Sequence, residues 1–516
     1  MKKLIPGALL ILIATVGIAQ TKSVSKSSVI LSAIKGMASR LDTTLIMAPN
    51  TKAKPQDIRL SGKDAGFFKV TLSAPNRSNK KDPLQLIVVF MPVETFVGLA
   101  KASVSLKGTD VTISLTGLST KGLEGENEAP LAQIVQALGY VIDLGWTTLP
   151  NNTLPALQGE ELAPALFRKA GSGSVEMIPV ARYSPDFALN FGYYTNTRTG
   201  PFHHQAGILA EADRYPQHQM LFPDIASGQT SFDPGNESFG FYAISPTHTV
   251  YSEDVWNMLL QPKHVSHAVR IFPVKDNNGA SISNSYLVCM EEASNGDYND
   301  YVFLVKNVQP VPVDKSFVQL LNGKDFTGWY TFVDSKGKNN DPDHIFTMEP
   351  GGVLHDTGKE VGYLMTEKSF DNYHLKLQFK WGEKRWPPRD TVKRDSGICY
   401  NVPADEPDHV WPQSIECQIQ EGDVGDFWLV GYSTIQVDGK QNSPTRSRRI
   451  TKPKDAERPT GEWNTVEVIS FNGKCVHVVN GVVVNYGENA SLVGGKILLQ
   501  SEYAEVYYRE VWLREL

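Results

Sequence analysis

The stretch SIECQIQEGDVGDFW, residues 414–428, concentrates side chains that can do chemistry. Glu416 and Gln418 alternate with Ile415, Cys417 and Ile419, the period-two pattern of a strand with one polar and one apolar face. The strand runs into a Gly-punctuated acidic loop holding Glu421, Asp423 and Asp426, followed by Trp428. Carboxylates accept hydrogen bonds from hydroxyls and move protons, so this face with an aromatic ring beside it suits a polyhydroxylated ligand such as a sugar.

Such a strand needs a sheet to carry it, and the residues from Phe317 onward supply one. HLKLQFKW (374–381), SGICYNV (396–402), NTVEVISF (464–471), CVHVVNGVVVNYG (475–487), KILLQSE (496–502) and VYYREVWL (506–513) all alternate as strands. Asn472-Gly473 and Asn480-Gly481 are hairpin turns, because both central positions of that turn need positive φ. Many short strands at turn-punctuated spacing predict a jelly-roll sandwich over 315–516.

Upstream, residues 21–170 read as a small α+β domain, with helices expected over KSSVILSAIKGMASRL (26–41) and PLAQIVQALGYVI (130–142). Residues 171–312 read as a β-rich sandwich, and the Pro-rich VQPVPVD (308–314) as a boundary. Asp297, Asn299 and Asp300, with Glu291 or Glu292, have the oxygen donors of a Ca²⁺ site, the one cofactor the sequence offers. A turn capped by Asx side chains is the plainer reading of the same residues. The histidines at 203, 204, 218 and 248 have no metal-site spacing.

Residues 1–19 have the form of a signal peptide: Met1-Lys2-Lys3, an apolar core, then Gly17-Ile18-Ala19 before Gln20. That predicts export to a periplasm or beyond. No later apolar run is long enough for a membrane span. A net charge of −6 without a basic block argues against nucleic acid. Cys289, Cys399, Cys417 and Cys475 are expected as free buried thiols, with Cys399 and Cys417 on neighbouring strands but opposite faces.

Two resemblances follow from these residues. FGFYAIS, YLVCMEE and the D-Y-N-D before an apolar strand resemble a bacterial surface-protein β-sandwich family of unknown function, over about 235–310. VQLLNGKDFTGW, GYLMTEKSFDNYHLKLQFKW, DSGICYNV, SIECQIQEGD, GEWNTVEVISFNGKCVHVVNGVVVN and KILLQSEYAEVYYREVWL resemble, in order, the 3-keto-disaccharide hydrolase family (3-keto-glucoside lyase/2-hydroxy-glucal hydratase). The second resemblance implies a concanavalin A-like jelly roll, export, and a 3-keto-glycoside substrate. The chain departs from the common family pattern at Asp395-Ser396-Gly397, where Asn-Ser-Gly is frequent, and at Glu502-Tyr503, where His-Gly is frequent.

The implied chemistry is removal of the C2 proton, expulsion of the C1 substituent, and hydration. It needs a base, an acid and a cation or donor for the C3 oxygen. Glu416 is the first candidate base and Glu421 the candidate acid, or the second base for hydration; His409 is an alternative base. Lys380 and Arg394 are the candidate cations. Gln418, Asp395, Asn401, Asp423, Trp428 and Gln500 are the remaining candidates for substrate contact, and Trp386 could cover a ring. Trp329 and Trp463 are expected in the core. A retaining glycosidase pairing Glu416 with Glu421 would need a bulge, because residues five apart point to opposite faces of a regular strand. A non-catalytic carbohydrate-binding module is the non-enzymatic alternative.

Overall fold

The computed structural model describes residues 24–46, 53–73, 84–123, 125–146, 149, 156–163, 165–211, 218–312 and 316–516. The signal-peptide pattern lies outside the described residues. The chain divides into two compact units, Met1–Gly122 and Leu123–Leu516.

The first unit is built from a four-stranded and a three-stranded sheet. Val29, Leu31, Leu86, Val88, Phe90, Ile113 and Leu115 fill its core. The expected helix at 26–41 is instead the strand Ser28–Ile34, paired in parallel with Thr112–Thr120. Its apolar residues fit both periods over so short a run. The β-branched Val29 and Ile30 and the alternating burial fit the pleat.

The second unit begins with the expected amphipathic helix, Leu131–Ala137, which buries Leu131, Ile134 and Val135. A sandwich of five- and six-stranded sheets follows, cored by Phe191, Phe241, Val288 and Phe303. The Pro-rich boundary is partly strand: Val308–Pro310 pairs antiparallel with Phe167–Lys169.

The last two hundred residues fold as an eight-stranded sheet packed on a nine-stranded sheet. Leu375, Leu377 and Phe379 of the first meet Ile398, Ile415, Cys417 and Leu499 of the second in one core. Trp329 lies in that core, as expected. Asn472 and Gly473 have φ of 47° and 78°, Asn480 and Gly481 48° and 81°, the geometry both hairpins demand. All four cysteines are free and buried. Cys399 pairs with Glu416 and Cys417 with Ile398 across adjacent strands, so the two thiols face opposite ways.

The outer face of the eight-stranded sheet is partly covered. Ile469, Phe471, Val476 and Val478 pack against Tyr194, Trp256, Met258 and Leu259 of the preceding sandwich. The Trp256 and Phe471 rings meet edge to face at 5.2 Å. Arg514 and Glu253 pair at 3.0 Å beside them.

Candidate active site

Strand register places several of the candidate residues in rows across the face of the nine-stranded sheet that points away from the core. One row runs Tyr330, Met365, Leu498, Cys399, Glu416, Trp428, Arg449. The next runs Phe332, Tyr363, Gln500, then Gly397 and Gln418. Ile415 and Cys417 go to the core, so alternation alone sends Glu416 and Gln418 to this face.

Glu416 is only 5% exposed, and its carboxyl makes no hydrogen bond or ion pair with the described residues. Its carboxyl lies over Gly397: a Cβ there would sit 1.9 Å from Oε1 of Glu416 and 2.7 Å from Oε1 of Gln500. Glycine is required for this close approach. Gln500 is held from the other side, its Nε2 donating to Cys399 Sγ at 3.1 Å.

Two more carboxyls complete the cluster. Asp395 and Glu502 form an isolated bridge between the loop before Gly397 and the end of the Gln500 strand. One nitrogen, Arg389 Nη2, touches both, at 2.6 Å and 2.5 Å. Gln420 Nε2 also donates to Asp395, at 2.5 Å. Desolvation, then Asp395 and Glu502, push the Glu416 carboxyl well above the usual range. Burial lifts Asp395 to about 6 against the pull of Arg389. Burial and the neighbouring Asp395 lift Glu502 to about 7. The cluster therefore holds protons near neutral pH, which is the condition for acid–base work.

Of the residues expected from sequence, Glu416, Asp395, Gln500 and Trp428 come together here. The ring of the partly exposed Trp428 is next to Glu416 along the row. Gln418 shares the face, but its Oε1 is spent accepting from Ile419 N and Gln420 N.

The others are elsewhere. Glu421 turns away to Arg394 at 3.2 Å and accepts from Thr460. Although desolvation raises it, Thr460 and Arg394 hold its pKa below the usual value, and its carboxyl pairs with them rather than with the Glu416 cluster. Arg394 is consumed by Glu421 and by the Gly382 carbonyl. Asp423 is paired with Lys393 and Arg449. Asn401 is fully buried, bonded to Tyr373, Ser470 and the Leu492 carbonyl, so it braces the core. His409 is half exposed and paired with Glu406. Lys380 is on the opposite sheet, facing outward over Trp463 and Tyr507. Trp463 itself is partly exposed there rather than in the core. Trp386 anchors its loop by donating to the Thr357 carbonyl at 2.9 Å.

Sequence reasoning missed Arg389 and the role of Glu502. Glu502 had a signal: it stands two residues past Gln500, on the same face of the same strand. Arg389 had none, because a loop residue's direction is set by the fold.

In the preceding sandwich, the segment around Asp297 caps its own turn. Asp300 accepts from the Glu292 and Ala293 amides, Glu291 from the Tyr298 amide, and Asn299 donates to the Ala129 carbonyl. Among the described residues no group of three or more His, Cys, Asp or Glu side chains is arranged to hold a metal ion.

Residues 316–514 match the family model described as 3-keto-alpha-glucoside-1,2-lyase-like domain. The C-terminal domain is thus similar to that family, the resemblance its sequence blocks implied. A Parabacteroides distasonis structure described as a glycosyl hydrolase is 20% identical, covering 39% of this chain and 95% of that one, with a TM-score of 0.29. SCLam, a non-specific endo-beta-1,3(4)-glucanase from family GH16, is 12% identical, covering 40% and 95%, with a TM-score of 0.27. The carbohydrate binding module CBM66 from Bacillus subtilis is 8% identical, covering 36% and 96%, with a TM-score of 0.26. No curated protein matches the chain.

Proposed function

We propose that the lyase-like domain cleaves 3-keto-glycosides by elimination and hydration, using the Asp395–Glu416–Glu502 cluster. The observation that carries this is Glu416: buried, unpartnered and held protonated beside two carboxyls whose pKa values are near neutrality. Glu416 is then the acid rather than the base first assigned to it, because desolvation disfavours its charged form.

The ketone at C3 acidifies the proton on C2. The Asp395–Glu502 pair, carrying one negative charge between them, takes that proton. The C–H electrons form the C2–C3 enolate, whose oxygen Arg389 or a neighbouring donor stabilises. The enolate collapses to restore the ketone, forms the C1–C2 double bond and expels the oxygen on C1. Glu416 gives that oxygen its proton. In the second half, the ionised Glu416 takes a proton from water as the water oxygen bonds to C1, and the Asp395–Glu502 pair returns its proton to C2. The sum is hydrolysis, without a covalent enzyme intermediate. Trp428 offers a ring face to the sugar. The leader pattern at 1–19 supports export as the setting for this activity.

The test is to incubate the protein with a 3-keto-disaccharide and with the unoxidised parent sugar. The reading requires cleavage of the keto sugar alone. Cleavage of the parent alone would overturn it in favour of an ordinary glycosidase.

A further inference from the structure

The acid cluster on the nine-stranded sheet leaves the outer face of the eight-stranded sheet without a role. Where that face is not covered by the preceding sandwich, it borders a cleft of about 620 Å³ within the second unit. This is within the range of cavities that hold small ligands, roughly 300–1,000 Å³. Trp512, Lys376, Arg458 and Thr465 line it from the jelly roll, Glu253 and Val255 from the preceding sandwich.

Its buried acids are already answered. Glu253 is paired with Arg514, and Glu467 with His374 at 2.6 Å and Lys376 at 3.6 Å. The cleft therefore presents little uncompensated negative charge. Beyond it, register continues the face as Lys376 beside Trp512, Gln378 beside Arg509 and Lys380 beside Tyr507. Trp463, Tyr507 and Trp512 are all partly exposed. Arg509 stacks over Trp463 at 3.9 Å, and Lys380 sits 5.2 Å from the same ring and 5.3 Å from Tyr507. Lys380, Arg458 and Arg509 have no carboxylate partner among the described residues: Arg509 bonds Gln378, and Arg458 the Trp463 carbonyl. In a chain of net charge −6, three unmatched cations interleaved with three accessible rings do not follow from composition.

We infer that this face is a second carbohydrate site, for an acidic polysaccharide carrying carboxylate or sulfate groups. The aromatic rings take sugar faces, and Lys380, Arg458 and Arg509 take the anionic groups, the guanidiniums in bidentate fashion. The cleft beside Trp512 seats one sugar unit. The site is separate from the acid cluster, which faces the other way from the other sheet.

The full chain is tested by affinity electrophoresis in gels containing polygalacturonate, dextran sulfate, neutral dextran or single-stranded DNA. The inference expects retardation by at least one of the two acidic polysaccharides, and which one reports the group read. The triple variant Lys380→Ala, Arg458→Gln, Arg509→Gln should bind that polymer about tenfold more weakly, three exposed charge contacts being lost. Its cleavage of a keto-disaccharide should match the parent protein. The single variant Arg458→Gln, at an exposed position, gives the same direction if the triple fails to fold. Retardation by neither acidic polymer, equal retardation by DNA, or binding unchanged in the variants would overturn the inference.

Discussion

Two clusters of buried acids in the second unit, around Asp300 and around Glu416, are solved differently. Around Asp300, backbone amides of the same loop meet part of the acid: Glu292 and Ala293 donate to Asp300 and Tyr298 to Glu291, while Glu291 Oε1 and Asp297 Oδ1 have no partner among the described residues. Around Glu416, the neighbouring acids are met by side chains, Arg389 for Asp395 and Glu502 and Gln420 for Asp395, and the Glu416 carboxyl by no partner among the described residues. Burial lifts the pKa of both sets, Glu291 and Glu502 each to about 7. The lesson is that a raised pKa does not by itself mark a site. What separates the clusters is that Asp300 is met by two backbone amides, whereas the Glu416 carboxyl has no polar partner among the described residues and lies over the bare Gly397 backbone.

The comparison is broken most sharply at Glu416. Glu416→Gln should lower turnover of a 3-keto-disaccharide by at least about a hundredfold, the low end of a lost proton transfer. Folding should hardly change, because the amide copies the protonated carboxyl. Near-normal turnover would end the case for Glu416 as the acid. Gly397→Ala should also lose most activity, since a methyl there collides with Glu416 Oε1. A crystal structure of that variant should show the carboxyl displaced.

Arg389→Gln should move the pH–rate profile rather than merely lower it. Activity needs an ionised Asp395–Glu502 pair and a protonated Glu416. The rising limb therefore lies near the pair's values of about 6 and about 7, and the falling limb at higher pH where Glu416 ionises. Removing the cation should shift the rising limb upward. An unshifted limb would mean Arg389 does not set it.

The amide-capped cluster should respond in stability alone. Asp300→Ala leaves the Glu292 and Ala293 amides without their acceptor and should cost about 1–3 kcal/mol, read by denaturant titration, with turnover of the remaining folded protein unchanged. The smallest effect is a slope. Glu502 and Glu291 have folded pKa values raised above their unfolded ones, so the folded state binds more protons between about pH 4 and 7. Their contribution to stability is present below that window and is lost as pH rises through about 7. Glu502→Gln should flatten only the jelly roll's share of the fall in unfolding midpoint over this window, and Glu291→Gln the other share.

Much of the C-terminal domain was readable residue by residue. Alternation assigned Glu416 and Gln418 to one face and Ile415 and Cys417 to the other. Asn-Gly pairs located two hairpins, and six blocks in order indicated the family. These are local or linear properties, and a sandwich strand obeys them wherever it lies. Alternation cannot say which sheet a strand joins, so Lys380 read as a site cation although it faces outward from the opposite sheet. Nor does it say which polar face is wet: Glu416 lies on a polar face and is nonetheless buried, which raises its pKa. Glu421 follows Glu416 closely in sequence yet turns to Arg394, while Glu502, far along the chain, arrives beside Asp395 because the Gln500 strand neighbours the Gly397 strand. Sequence alone determined the main strands of the C-terminal domain, their faces and the side-chain types available there. Only the tertiary structure decided which carboxyls meet and how deeply they are buried. Strand order and desolvation arise from contacts between residues far apart in the chain, and a carboxyl's pKa depends on both.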